Sequence, residues 1–302
     1  MGKLAFVLIV LLICSVATFV FEVKCIDFFA PIFIRTDGSI NPSTAPISTV
    51  DNVTYTLTDL ISSDSDGIVV ERNHIVIDGA GQTLQGNGNG IDLTERVNVT
   101  IKGIRIRGFA SGVYLDNASF CNIYENHITN NDAGVYLKYS SSNTISGNNI
   151  TFSYNVGIGL DSSSGNSISG NNITYNNHGI WLYSSSNYNS ISGNDVGANS
   201  KEGIKLENCL DINIVNNDIT DNDLAGIWLF VSNSSLVSQN RIERNYPAGI
   251  ILDISSSNTI SENDVRDNRA NMVFEYSVNG GVALSSGNRI FHNNFINGTW
   301  NV

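Results

Sequence analysis

Residues 168–182 read Ile-Ser-Gly-Asn-Asn-Ile-Thr-Tyr-Asn-Asn-His-Gly-Ile-Trp-Leu, and the stretches 145–160 and 191–206 repeat the same pattern. Working outward, the Gly that opens the last segment recurs at Gly67, Gly90, Gly112, Gly134, Gly157, Gly179, Gly203, Gly226 and Gly249. Successive spacings are 23, 22, 22, 23, 22, 24, 23 and 23 residues. Each repeat carries three short apolar segments that alternate with polar residues and show no helical period, so each is a strand. A unit this short cannot close its own core. Stacking one turn on the next buries a continuous column of Ile, Val and Leu.

These features predict an all-β chain: a single-stranded, right-handed parallel β-helix of about ten coils over residues 67–302. Two Asn positions recur in each turn. One column is Asn126, Asn148, Asn171, Asn194, Asn217, Asn240, Asn263 and Asn293. The other is Asn131, Asn176, Asn199, Asn222, Asn245 and Asn268, with Ser153 as the exception. Identical amides one coil apart pair along the axis, and Asn tolerates the left-handed backbone of a sharp corner. The Asn columns are therefore read as structural. Residues 26–66 depart from the repeat and are expected to cap the first coil edge, which would otherwise template aggregation. Residues 275–287 lengthen one repeat and are expected to form a loop insertion.

The apolar run from Leu4 to Phe21 follows Lys3 and ends at Glu22. Residues 1–25 are read as a signal peptide, with an uncleaved membrane anchor as the alternative. Seven glycosylation sequons accord with an extracellular or cell-surface location. The net charge of −12 repels phosphate backbones, so nucleic acid is excluded as a partner. A membrane is a partner only through an uncleaved N-terminal segment. Cys121 and Cys209 lie about four coils apart, on the order of 19 Å at ~4.8 Å per strand. That is too far for a disulfide.

The repeats resemble those of carbohydrate-binding and sugar-hydrolase β-helix proteins, a solenoid of the pectate-lyase kind. They are especially similar to the NosD-type family, labelled periplasmic copper-binding, and its archaeal secreted relatives. The resemblance rests on residues 32–42, on Ile75-Val-Ile-Asp-Gly-Ala-Gly-Gln-Thr-Leu84, on the Asn-x-Ile-x-x-Asn coils and on residues 288–295. It implies the fold across nearly all of the chain after residue 25.

The family label raises copper, which needs clustered His, Met or Cys. The four His (His74, His127, His178 and His292) read as isolated polar turn residues in different columns, and Met272 is the only internal Met. No metal and no cofactor are expected. Glycoside hydrolysis needs a carboxylate pair. Asp195 and Asp218 stack, but their column continues with Arg241 and Asp264, beside Asp221, Arg244 and Asp267 and beside Thr220, Glu243 and Arg266. Alternating signs read as a solvated charge ladder. The outward position of Gly-Ile-x-Leu is more informative. It holds Asp92, Tyr114, Tyr136, Gly159, Trp181, Lys205, Trp228 and Ile251, with Tyr183 and Phe230 nearby. Tyr114, Tyr136, Trp181, Trp228, Tyr183 and Phe230 are candidate carbohydrate-binding residues, because exposed rings on one face offer a stacking platform. Ordinary β-propensity also accounts for them. No catalytic residue is identified, and Asp161, Glu207 and Asp253 are the nearest acids. The expected partner is a polysaccharide or cell-surface glycan. The alternatives are a polysaccharide lyase, hydrolase or epimerase, and a structural surface or adhesion protein.

Overall fold

The computed structural model describes residues 26–28, 30–275 and 285–301. The expected export segment and most of the expected loop insertion lie outside the described residues. Among the described residues every regular element is a strand, and the strands form three sheets of 12, 13 and 12 members. Each coil gives one strand to each sheet. The first sheet holds the Gly-Ile-x-Leu strands, such as Ala133–Lys138, Val156–Asp161 and His178–Tyr183. The second contains Thr144–Ser146, Ser167–Ser169 and Ser190–Ser192. The third contains Asn149–Thr151, Asn172–Thr174 and Asp195–Gly197. Coil-to-coil pairing is parallel, so the chain is a parallel β-helix.

Alternation builds the core. In the second sheet Ile145, Ile168, Ile191 and Ile214 pair in register and are fully buried. Ile158, Ile180, Ile204 and Ile227 do the same in the first sheet. The strand-opening glycines are required by close approach. A Cβ on Gly157 would lie 2.7 Å from the Gly179 carbonyl and 2.7 Å from Ile173 Cγ2. At the N-terminal end, Ile32–Ile34, Thr54–Leu57 and Ile61–Ser63 stack parallel on the following coil. Two short strands, Ile40–Asn41 and Ile47–Ser48, pair antiparallel with the first two of these and occupy the outermost positions of their sheets.

The corners are held by buried amide ladders. Asn148 shows the pattern. Its backbone N–H and its Nδ2 both donate to Asn171 Oδ1, at 2.9 and 3.0 Å, and Nδ2 also donates to the Ile123 carbonyl at 2.8 Å. Three corners carry ladders, not two. The third runs through Ser140, Ser163 and Ser186 and through Asn143, Asn166 and Asn189. The left-handed backbone falls on the residue before each ladder Asn, not on the Asn itself. Gly147, Gly170 and Gly193 precede one column, and Asn130, Phe152, Tyr175, Ala198 and Asp221 precede the other. The ladder amide must lie inward to reach the next coil, and the sharp reversal happens one step earlier. A side chain at such a position costs roughly 1–2 kcal/mol relative to glycine.

Cys121 and Cys209 are buried free thiols. Burial pushes Cys209 up to about 12, opposed only in part by nearby backbone N–H groups.

Candidate binding face

The outer face of the first sheet brings the candidate aromatics into one column. Asp92, Tyr114, Tyr136, Gly159, Trp181, Lys205, Trp228 and Ile251 are successive register partners. The next outward column runs Lys138, Asp161 and Tyr183, then Glu207, Phe230 and Asp253. The six candidate residues thus share one face.

Their rings are half-buried and packed on one another, where free exposure is the sequence expectation. Tyr114 and Tyr136 stack at 6.1 Å between centroids with planes 4° apart. Gly159 makes room for Tyr136, because a Cβ there would lie 2.9 Å from Tyr136 Cδ2. Tyr136 leans across that gap until its hydroxyl bonds to that of Tyr183. The Lys205 ammonium lies 4.6 Å from the Trp181 ring centre and 5.2 Å from that of Trp228, and Lys205 also pairs with Glu207 at 3.2 Å. One face of each indole is therefore covered by a cation. The indole N–H groups of Trp181 and Trp228 are buried, so the edge turned outward is hydrocarbon. Beneath Trp228 lies an apolar outer cluster of Ala225, Ala248, Ile251 and Ala270. The reason is geometric: rings one coil apart are close enough to stack along the axis.

Burial raises the Tyr114 phenol to about 12, with Asp116 adding to the shift. Burial, and then the bond to Tyr136, raise the Tyr183 phenol well above its ordinary value. Both are neutral hydroxyls near neutral pH, suited to hydrogen bonding and not to proton abstraction.

Sequence reasoning missed the group beside Trp181. The structure overturns the reading of His178 as an isolated turn residue. It begins the strand His178–Tyr183, is 5% exposed, and bonds through Nδ1 to Glu202 Oε2 at 2.6 Å. The Lys201 ammonium lies 3.3 Å from His178 Nε2. An ammonium only donates, so Nε2 accepts and Nδ1–H faces Glu202. The imidazole centroid lies 4.8 Å from that of Trp181.

The charge columns lie on the third sheet and on the corner that follows it, off the column of Tyr114, Tyr136, Trp181 and Trp228. Arg241 bonds Asp218 at 2.7 Å and Arg244 bonds Asp221 at 2.8 Å, and both also contact Glu243. Burial and then Asp218 raise the Asp195 carboxyl. The carboxylates next to Arg241 and Arg244 are paired, as in a structural ladder.

Copper does not fit these residues. Among the described residues no group of three or more His, Cys, Asp or Glu is placed to hold a metal ion. Met272 is in the hydrophobic core, His74 and His127 bond Asn98 and Asn149, and the thiols of Cys121 and Cys209 are buried.

Comparison with known proteins agrees with the fold. The A-module of the mannuronan C-5 epimerase AlgE4 from Azotobacter vinelandii superposes with a TM-score of 0.64 at 13% identity, over 92% of this chain and 91% of that one. The Dettilon tailspike protein gives 0.62 at 18% identity, over 88% of this chain and 62% of that one. A DFA-IIIase from Arthrobacter chlorophenolicus A6 gives 0.52 at 12% identity, over 76% and 68%. No curated protein matches the sequence. The right-handed β-helix region family matches residues 157–302. Residues 50–223, more than half of the chain, match the family described as periplasmic copper-binding protein (NosD), and the chain belongs to that family.

Proposed function

We propose that the protein is exported and binds a polysaccharide lengthwise along the outer face of its first sheet. The observation that carries this reading is the register column Tyr114, Tyr136, Trp181 and Trp228, flanked by Tyr183 and Phe230. Their half-buried rings are fixed by their neighbours, so little side-chain entropy is lost when a ligand settles on them. Hydrocarbon ring edges suit the C–H faces of sugar rings. Phenol hydroxyls, Lys205 and Glu207 supply polar partners. Retention in affinity electrophoresis across a polysaccharide panel tests the idea. Trp181→Ala with Trp228→Ala is expected to reduce retention at least tenfold, and unchanged retention would reject the reading.

A second reading, a polysaccharide-modifying enzyme, draws on the buried His178–Glu202 pair with Lys201 beside Trp181. A carboxylate-oriented imidazole next to a sugar-stacking ring is an arrangement used in acid–base catalysis. Assays for new reducing ends and unsaturated products distinguish the two readings. Product formed by the wild type and lost in His178→Gln, with retention intact, would establish the enzyme.

A further inference from the structure

A second group of rings lies off this face, at the corner between the third and first sheets. Phe152 and Tyr175 sit one coil apart and stack with centroids 5.3 Å apart and planes 10° apart. Like Tyr154, they are exposed large hydrophobic side chains among the described residues, Phe152 at 51%, Tyr175 at 59% and Tyr154 at 74%. Phe152 and Tyr175 occupy left-handed positions, with φ of 55° and 60°. The same column holds Asn130, Ala198, Asp221, Arg244 and Asp267 in other coils, of which the Asn and the two Asp are types that suit this backbone. Bulky rings are the types it suits least. Phe120, Tyr139 and Tyr188 are also exposed at left-handed positions, so the backbone alone does not single this corner out; the stacking of Phe152 on Tyr175, facing water beside a groove, does.

The rings border a groove of about 340 Å³ that Asn130, Ser153, Tyr154, Asn176, Asn177 and Ser200 complete. No charged or aliphatic side chain lines it. Ionic partners find no counter-charge there, and a lipid or a protein hot spot finds no aliphatic floor. Ring faces for C–H surfaces, with amides and a hydroxyl around them, match a neutral sugar. Asn177 and Ser200 lead directly into His178 and Lys201, so the groove adjoins the Trp181 end of the strip.

We infer that this corner is a binding site for an uncharged polysaccharide, distinct from the strip although resting on the same glycan reading. The test uses the full chain in affinity electrophoresis with galactomannan, xyloglucan and a mixed-linkage β-glucan, with alginate as the anionic comparison. Phe152→Gly with Tyr175→Gly removes both rings and relieves the left-handed backbone. This double variant is expected to melt no lower than wild type while losing tenfold or more of its retention on a neutral glycan. Tyr154→Ser is expected to lose retention in the same direction. Unchanged retention in the double variant, wild-type retention on alginate alone, or no retention at all would each overturn the corner site. So would capture of a protein partner that depends on Phe152 and Tyr175. Loss in the corner variants but not in Trp181→Ala with Trp228→Ala would retain the corner and reject the strip; the reverse would do the opposite.

Discussion

Single residues decide much of the stability here, because each sits in a column whose members depend on one another. Ser153 is the clearest case. It interrupts a ladder that resumes at Asn176, and its hydroxyl is buried without a partner. Neighbouring coils accommodate Asn at this place, so Ser153→Asn is expected to fit, accept from Asn131 and donate to the Ile128 carbonyl. The gain should be about 1–2 kcal/mol for one or two restored bonds, read as a higher melting temperature; a lower one would mean the corner is locally different. Glu202 gives a pH dependence. Burial acts to raise its carboxyl, but the bond from His178 and a backbone N–H outweigh it and hold the group below its ordinary value of 4.5. A lowered folded value stabilises above pH 4.5, and that stability is lost as pH falls through the lowered value. Wild type should therefore exceed Glu202→Gln by about 1–3 kcal/mol near neutral pH. The difference should shrink on acidification, as followed by urea denaturation. A gap that widens in acid would contradict the assignment.

Among the elements, the strands are legible in sequence and the corners only partly so. Gly-Ile-x-Leu can be read because alternation separates the buried Ile and Leu from the outward residue, and the register keeps Tyr114, Tyr136, Trp181 and Trp228 in one column. Outward direction does not tell how rings pack, so the covering of both indoles by Lys205 is visible only in three dimensions. The third ladder is hidden because its Ser and Asn lie in runs such as Ser162-Ser-Ser-Gly-Asn166, which read as linker. Cys209 also takes the Ser place in one coil, donating its N–H to Ser232 Oγ. The His178–Glu202 pair has a sequence signal that is easily passed over. One spacing is 24 residues, from Gly179 to Gly203, and counting 24 from His178 lands on Glu202. The usual 23 lands on Lys201, the other neighbour of the same imidazole.

The whole molecule behaves as a one-dimensional stack, in which each coil touches mainly the coils before and after it. Ile191, buried and in register with Ile168 and Ile214, tests this. Ile191→Ala should cost about 2–5 kcal/mol through the lost side chain and the cavity left behind. Hydrogen exchange should show weakened protection centred on residues 168–214 that fades toward both ends. A uniform loss along the chain would mean that the stack unfolds as one unit.

The corner between the first and second sheets has a consequence for how such a chain can change. Coils usually repeat there every 22 or 23 residues, yet Ser255 and Asn258 bond Ser285 and Asn288, 30 residues on. Seven extra residues have entered without shifting the ladder, since strand register is restored as soon as the next Ser and Asn dock. Insertion length and scaffold geometry are therefore uncoupled at this edge. Segments of new sequence can be acquired there, beside the aromatic strip, and tried for recognition while the solenoid underneath stays as it was.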